Sequence, residues 1–412
     1  MHPDACTGIW HRRSWKMLEN RILSLPAIVL AGALSATQAW AAGFERTSPS
    51  VDRLFTPGNS AGFSTTFVVP TRKFTVQSAV DRTGAPVTTG ARTSDPAENL
   101  IIFEGSVKMD LTDRIGCLFG YNEPLNVNAH FSPGWQGRFK VIDFEINMRQ
   151  IRTACSYRHP LAKGALRFIA GVGAVKGDAI RTQNLAAGVV PGTTAETFSA
   201  LDFGGSNTAL SWQAGLAYEL PEKAFRVLLL YTSESDVRLR GDFVIGSSGA
   251  ELSRRAIHVN LPVPQSLELK LQSGVAPGWL VQADLKWQEW SAWGDFPIFL
   301  SGAGTQIAEY SPRLKDGWSA RVGVARRVND KLGLSAFVKW DSSTSTGWTP
   351  TKESWTVGGG ARYQIAENAA VTFGGAVNFQ SSGTARSTPP EIRYSIGNDA
   401  IFVAKLGLDI KF

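Results

Sequence analysis

The sequence predicts an all-β fold, a transmembrane antiparallel β-barrel of about fourteen strands. Three observations carry that reading. The closing residues alternate strictly between apolar and polar side chains, the same alternation recurs upstream, and short and long connections take turns along the chain.

In the closing segment, Phe402, Ala404, Leu406, Leu408, Ile410 and Phe412 form one apolar row. Val403, Lys405, Gly407, Asp409 and Lys411 form the other, mostly polar row. Successive side chains of a strand point to opposite faces, so one face suits lipid and the other a wet lumen. A strand of a soluble sandwich would alternate in the same way, and the weight therefore rests on repetition. Leu210, Trp212, Ala214, Leu216 and Tyr218 oppose Ser211, Gln213, Gly215, Ala217 and Glu219. Leu267, Leu269 and Leu271 oppose Ser266, Glu268, Lys270 and Gln272. Val281, Ala283, Leu285 and Trp287 oppose Gln282, Asp284, Lys286 and Gln288. Trp355, Val357, Gly359, Ala361 and Tyr363 oppose Thr356, Gly358, Gly360 and Arg362. Trp212, Tyr218, Tyr231, Trp287, Trp340, Trp355 and Tyr363 fall near strand ends, where a barrel carries its interfacial aromatic girdles.

Short connections at 110–113, 158–164, 221–224, 274–277, 328–331 and 365–368 carry the Asn, Asp, Pro and Gly of tight turns. Long ones run over 81–99, 122–140, 177–207, 242–259, 291–314, 344–352 and 380–395. The even strand count that results leaves both termini on the periplasmic side and the long loops outside.

The N-terminus supplies an address. Arg12, Arg13, Lys16 and Arg21 precede an apolar stretch from Ile22 to Ala36, followed by Ala39-Trp40-Ala41. That is a secretory signal, expected to occupy residues 1–41, with Met17 as an alternative start and a weak twin-arginine feature at Arg12-Arg13. Pro26 and Gly32 interrupt the stretch, which is too short to span a bilayer as a helix. Losing those four basic residues with Asp4 and Glu19 lowers the net charge from +7 to +5, with no basic run to suit nucleic acid. A secreted chain with 41 Gly, 13 Trp and 22 Phe suits a barrel, the closed form in which strands cross lipid with every backbone group paired. Cys6 leaves with the signal, and Cys117 with Cys155 are expected as two small packed thiols, a cross-strand disulfide being the alternative.

Several segments together resemble the FadL-type outer-membrane transporters of long-chain fatty acids and other hydrophobic molecules. They are Ala42-Gly-Phe44; Ser211-Trp-Gln-Ala-Gly-Leu-Ala-Tyr-Glu-Leu220 with Arg226, Tyr231-Thr-Ser-Glu234 and Leu239-Arg-Gly241; and Lys315-Asp-Gly-Trp-Ser-Ala-Arg-Val-Gly323. The most specific is Leu261-Pro-Val-Pro-Gln-Ser-Leu267 followed by Trp279 and Leu285-Lys-Trp-Gln-Glu-Trp-Ser291. The resemblance implies a monomeric, multi-pass barrel in the outer membrane of a Gram-negative bacterium. It also implies a luminal hatch over 42–61, carrying Phe44, Leu54 and Phe55, ahead of a barrel over 62–412. Ligand would enter a groove among the outer loops, pass to a site near the hatch and leave through a lateral opening. The hatch departs from the family pattern: Thr56-Pro-Gly-Asn-Ser-Ala61 stands where the family has Asn-Pro-Ala.

Outer loops have no structural need for many apolar groups, and exposed apolar patches mark binding surfaces. Leu185, Val189, Val190, Phe198, Leu201 and Phe203 in the loop from 177, with Phe243, Ile245, Phe296 and Phe299 opposite, are the expected groove; their bland reading is a lid of packed loops. Arg181 and Lys315 lie where the resemblance suggests contacts to a carboxylate head, while Arg321 and Arg362 face the lumen by alternation. The bland reading of all four is charge pairing that holds the wall together. No catalytic group, cofactor or metal is expected. His130, His159 and His258 sit in loops or turns, Ser253 near His258 forms no recognisable nucleophile element, and no metal-ligand spacing is present. The rival functions are a general or structural porin and, more distantly, an outer-membrane lipid-modifying enzyme.

Overall fold

The computed structural model describes residues 44–47, 50–247, 250–347, 352–387 and 390–412. The expected signal segment and its cleavage site lie outside these residues. Fourteen of the described strands close into one antiparallel ring. In chain order they are β1 (Ser60–Pro70), β2 (Leu100–Asp110), β3 (Ile115–His130), β4 (Asp143–Pro160), β5 (Ala165–Leu185), β6 (Ala209–Leu220) and β7 (Phe225–Thr232). The ring continues with β8 (Ser266–Ala276), β9 (Trp279–Gln288), β10 (Gly317–Arg327), β11 (Leu332–Asp341), β12 (Ser354–Ala366), β13 (Ala369–Gln380) and β14 (Asp399–Lys411). Each pairs with its neighbours in sequence, and β1 closes the ring by pairing with both β2 and β14.

The alternation read from the sequence becomes the two faces of this wall. Leu210, Trp212, Leu267, Leu285, Trp355, Val357, Phe402 and Leu406 are exposed outward, while Ser211, Gln213, Lys270, Lys286, Gln282, Thr356 and Arg362 are buried inside. Trp287 registers with Trp318, Trp340 with Trp355, and Trp355 with Phe379, which builds an aromatic belt near the outer end. Trp212 and Tyr231 extend it, their ring centroids 4.9 Å apart. The turns at the opposite end are tight; Gly278, for example, takes a φ of +75° between β8 and β9, a conformation that suits glycine. Gly358 faces inward, and a Cβ there would fall 2.6 Å from the Phe337 ring, so its small size makes room for a luminal aromatic.

Three expectations change. The connection expected over 122–140 starts later, because β3 runs on to His130 across an irregularity between Asn122 and Leu125. Pro124 lacks an N–H, and a bulge accommodates it without breaking the strand. The connections expected over 177–207 and 242–259 are largely strand as well. Thr197–Ser206 pairs back onto β5, Ser235–Ser247 pairs onto it, and Ala250–Val263 follows, so this ladder stands above the barrel. Phe296–Leu300 and Gln306–Tyr310 extend it. A second outer sheet joins Phe74–Ala79 and Thr93–Ser94 to Gly383–Arg386 and Ile392–Ile396. Lastly, Cys117 and Cys155 are directly opposed on β3 and β4 and form a disulfide rather than two packed thiols. Their register supplies the short approach that composition could not reveal.

Residues 44–47 and 50–59 run along inward-facing side chains. Val51 and Leu54 are buried with Leu118, Ile169, Leu228 and Leu230 of the wall. The short helical turn Asp52–Phe55 is pinned from several directions. Asp52 pairs with Lys270 at 2.9 Å and Arg226 at 3.2 Å, and Arg53 pairs with Asp409 at 2.6 Å. Lys108 donates to the carbonyls of Thr56 and Gly58, Arg167 to that of Leu54, and Arg152 to that of Ser50.

Candidate functional site

Among the described residues, two large cavities occupy the barrel axis, and they share no lining residue. The N-terminal segment lies between them: Phe44 and Arg46 line the outer one, Ser50 and the stretch from Asp52 to Gly58 the periplasmic one. The periplasmic cavity, about 1320 Å³, is walled by ion-paired groups such as Arg167 with Glu219 and Arg362 with Asp409.

The outer cavity has a volume of about 280 Å³ and a different character. Phe74 and Tyr394 reach it from the second outer sheet, Phe131 and Trp135 from the β3–β4 connection, and Phe144 and Tyr310 from the wall and the outer ladder. Phe131 stacks on Trp135 at 4.2 Å, Phe74 meets Phe131 at 5.2 Å, and Phe144 meets Tyr310 at 5.2 Å. These contacts fix an apolar slot in shape as well as polarity. Five cationic residues line the same space, Arg46, Arg72, Lys140, Arg181 and Lys352, against the carboxylates of Glu98, Glu309 and Asp341. Arg181 donates to the Lys140 carbonyl at 2.8 Å, which sets its fork at the head of β5. Arg72 is held by Asp399 at 3.5 Å and by Gln380. Burial, with Arg181 and Arg82 nearby, pulls the Lys140 ammonium down to about 7. Burial and Arg72 likewise bring Arg46 to about 9. Such a pocket favours an anion with an apolar body.

Of the residues singled out in the sequence, Arg181 and Phe44 line this cavity. Leu201, Phe203 and Phe296 are buried behind its wall in a cluster with Trp290 and Trp293, on which Phe44, Phe144, Phe243 and Tyr310 pack. Leu185 is buried at the head of β5. Phe198 is 40% exposed, and Val189, Val190, Ile245 and Phe299 are half-buried, all five in the outer structure away from the slot. Lys315 is exposed beside β10. Arg321 is buried in the lumen with its guanidinium 4.4 Å above the Phe337 ring, and Arg362 belongs to the periplasmic cavity. Leu54 is buried under the wall cluster, and Phe55 lies beneath the guanidinium groups of Arg226 and Arg167, at 4.2 and 5.0 Å. Sequence reasoning missed Arg46, Arg72, Lys140, Phe74, Phe131 and Tyr394. Phe131 and Tyr394 sit in the connections expected over 122–140 and 380–395, where apolar groups have no structural need, and that was the available signal; Phe74 lay outside every connection named.

One stretch of wall is incomplete. β2 pairs with β3 only from Gly105–Tyr121 towards the periplasm, although β1 follows β2 up to Leu100. Above that point the inner edge of β3 turns to the N-terminal segment. Arg46 N–H donates to the Pro124 carbonyl at 3.0 Å, and the Thr47 hydroxyl to that of Glu123 at 2.7 Å. Glu45 bridges to Leu125 and forms a buried ion pair with Lys286 at 2.5 Å.

The model of the outer membrane protein transport family (OMPP1/FadL/TodX) matches residues 54–389. The chain belongs to this family. A long-chain fatty acid transport protein of Salmonella typhi is 22% identical over 410 residues, covering 87% of this chain and 92% of the relative. Among solved structures, a Pseudomonas aeruginosa FadL homologue superposes with a TM-score of 0.78 at 15% identity, covering 94% of this chain and 98% of its own. The Pseudomonas putida toluene transporter TodX superposes with a TM-score of 0.62 at 18% identity, covering 87% and 92%. These likenesses establish the shared fold, and membership places this FadL/TodX-family barrel in the outer membrane.

Proposed function

We propose that this FadL/TodX-family protein takes up apolar acids passively across the outer membrane. The observation that carries the reading is one cavity with an aromatic lining and an excess of cations, five against three carboxylates. A general porin has no use for such a slot, nor for a segment that separates outer from periplasmic space. In this reading the apolar groups of the outer ladder, the exposed Phe198 and the half-buried Phe243 among them, capture the ligand, and the slot receives it next. Phe44 and Arg46 line the slot while Glu45 and Thr47 touch the wall, so a bound ligand bears on the same short segment that covers the incomplete β2–β3 edge. Exit through that edge needs displacement of a few hydrogen bonds rather than opening of a complete ladder. Phe44, Leu54 and Phe55 act as the hatch, and Lys315, Arg321 and Arg362 shape the charge of the surrounding path.

The direct test is uptake of radiolabelled dodecanoate by cells carrying the protein, beside liposome swelling with sugars. Uptake without sugar permeation supports the transporter; sugar permeation without uptake replaces it with a porin. Phe198→Glu combined with Phe243→Glu is expected to slow uptake about tenfold at low ligand concentration while leaving affinity for the slot unchanged, because capture precedes binding. Unchanged uptake removes the outer surface from the route.

Lys140 adds a pH signature. Its ammonium is fully charged below about pH 6 and largely neutral above pH 8, so the attraction for an anion grows as pH falls. A permanently charged probe, dodecanesulfonate, should bind up to about tenfold more tightly at pH 6 than at pH 8. Lys140→Arg should flatten that profile, since guanidinium stays charged across the range.

A further inference from the structure

The outer ladder carries a second charged surface, on its outward face and away from the slot. Lys176 stands one residue beyond the last β5–β6 pair, Val175–Ala209, and is exposed. Arg238 and Arg240 are exposed on the strand Ser235–Ser247, where they alternate with the buried Val237 and Leu239 and so share the face turned from the core. Arg240 lies directly opposite His258 across the ladder, and His258 stacks on Phe299 with ring centroids 5.6 Å apart. Both arginines act on that imidazole: burial first, and then their charges, hold it below its usual value. The carboxylates nearby have other work. Arg254 takes Asp242 at 2.8 Å and Glu251 at 2.7 Å, and Arg149 takes Asp178 at 2.9 Å. Asp202 and Asp236 are exposed on the same face, yet Lys176, Arg238 and Arg240 enter no ion pair among the described residues. Like charges gathered in this way repel one another, and a multivalent anion relieves the repulsion.

Height above the membrane decides which anion. Arg238 N–H donates to the Asn207 side chain at 2.8 Å, and Asn207 N–H donates to the Arg238 carbonyl at 3.1 Å. Leu210, 74% exposed to lipid, lies three residues below Asn207, and Trp212 of the aromatic belt lies two further. Three residues of strand span about 10 Å, less in height for a tilted strand, and the headgroup layer on each side of the hydrocarbon is about 5–8 Å thick. Arg238 therefore stands at headgroup level, and Lys176 beside it on β5. Beneath them Val172 registers with Trp212, both exposed, so the apolar wall runs unbroken into the cationic face. We propose that this face binds a phosphorylated glycolipid of the outer leaflet, of the lipid A type, with its phosphates on Lys176, Arg238 and Arg240 and its acyl chains against Val172, Leu210 and Trp212. A free phosphate meets the same cations but gains nothing from the wall. None of these residues lines the outer cavity, so the proposal stands whichever ligand that cavity takes.

Native mass spectrometry of the purified full-length protein in detergent tests it with bisphosphorylated lipid A, dephosphorylated lipid A and inorganic phosphate as probes. The bisphosphorylated lipid should bind at least about tenfold more tightly than the dephosphorylated one. Arg238→Gln combined with Arg240→Gln should weaken the bisphosphorylated lipid at least about tenfold and leave the dephosphorylated one within about twofold. Arg386→Gln combined with Arg393→Gln removes two exposed arginines from the second outer sheet and should change neither. Millimolar inorganic phosphate should not displace the lipid. Heat-modifiable gel mobility checks folding, and should the first pair not fold, Lys176→Gln replaces it with a loss of at least about threefold expected. Equal binding of the two lipids, no loss on removing the patch, an equal loss in the control pair, or full displacement by phosphate each overturns the proposal.

Discussion

Asp52→Ala will turn the barrel into an open pore. Asp52 receives Lys270 at 2.9 Å and Arg226 at 3.2 Å, and both cations are buried in the lumen wall. Removing the carboxylate leaves two positive charges facing each other without the group that joins them. Breaking a buried pair in this way costs about 3–5 kcal/mol, comparable to what a short tethered segment can supply. The turn Asp52–Phe55 also carries Leu54 in the wall cluster and Phe55 under Arg226 and Arg167, so its release takes these contacts with it. The outer and periplasmic cavities should then merge, since described residues of this segment line both. Planar-bilayer conductance should rise from near zero to a stable open level, and liposomes should swell in arabinose. Lys270→Met added to Asp52→Ala removes one of the two facing charges, the one that keeps only Glu268 at 3.6 Å, and should recover part of the closure. An Asp52→Ala barrel that stays closed would show that the segment is held by its backbone contacts instead.

The second large effect lies in the outer cavity. Arg181→Glu replaces a planar donor by a carboxylate beside an anionic ligand. Loss of one charge-assisted hydrogen bond costs about 1.5–3 kcal/mol, and the introduced repulsion adds to it. Dodecanoate affinity at pH 7.5 should therefore fall by at least about a hundredfold. Dodecanol, with the same chain and no charge, should bind the variant within about threefold of the natural protein, because the aromatic slot is untouched. Equal losses for both ligands would mean that the substitution had collapsed the cavity, and unchanged dodecanoate binding would place the head group elsewhere.

The parts of this molecule that could be read in advance share one property: their signal is local. Period-two alternation in β6, β8, β9, β12 and β14 identifies the lipid face residue by residue, since lipid on one side and water on the other leave no other arrangement for a strand. The connections were harder. The apolar groups of the loop from 177 and of the connection over 291–314 stand out in the sequence, yet Leu201, Phe203 and Phe296 are buried in packing around Trp290 and Trp293, and the slot lies beside that packing. Phe198, still exposed at the outer ladder, keeps the character that the sequence suggested. The bulge in β3 was not legible, because Pro124 fell within the connection expected over 122–140.

Strand number, membrane location and the sides on which long and short connections fall all follow from the order of residues along the chain, because each depends on neighbours two to ten positions apart. The slot does not. Arg46, Arg72, Lys140 and Arg181 meet there with Asn378 and Tyr394. They are brought together by closure of β1 against β14 and by a second sheet that joins both ends of the chain. No periodicity marks a residue for a partner three hundred positions away. Ring closure and the path of the N-terminal segment through the lumen set which charges face the ligand and which merely brace the wall.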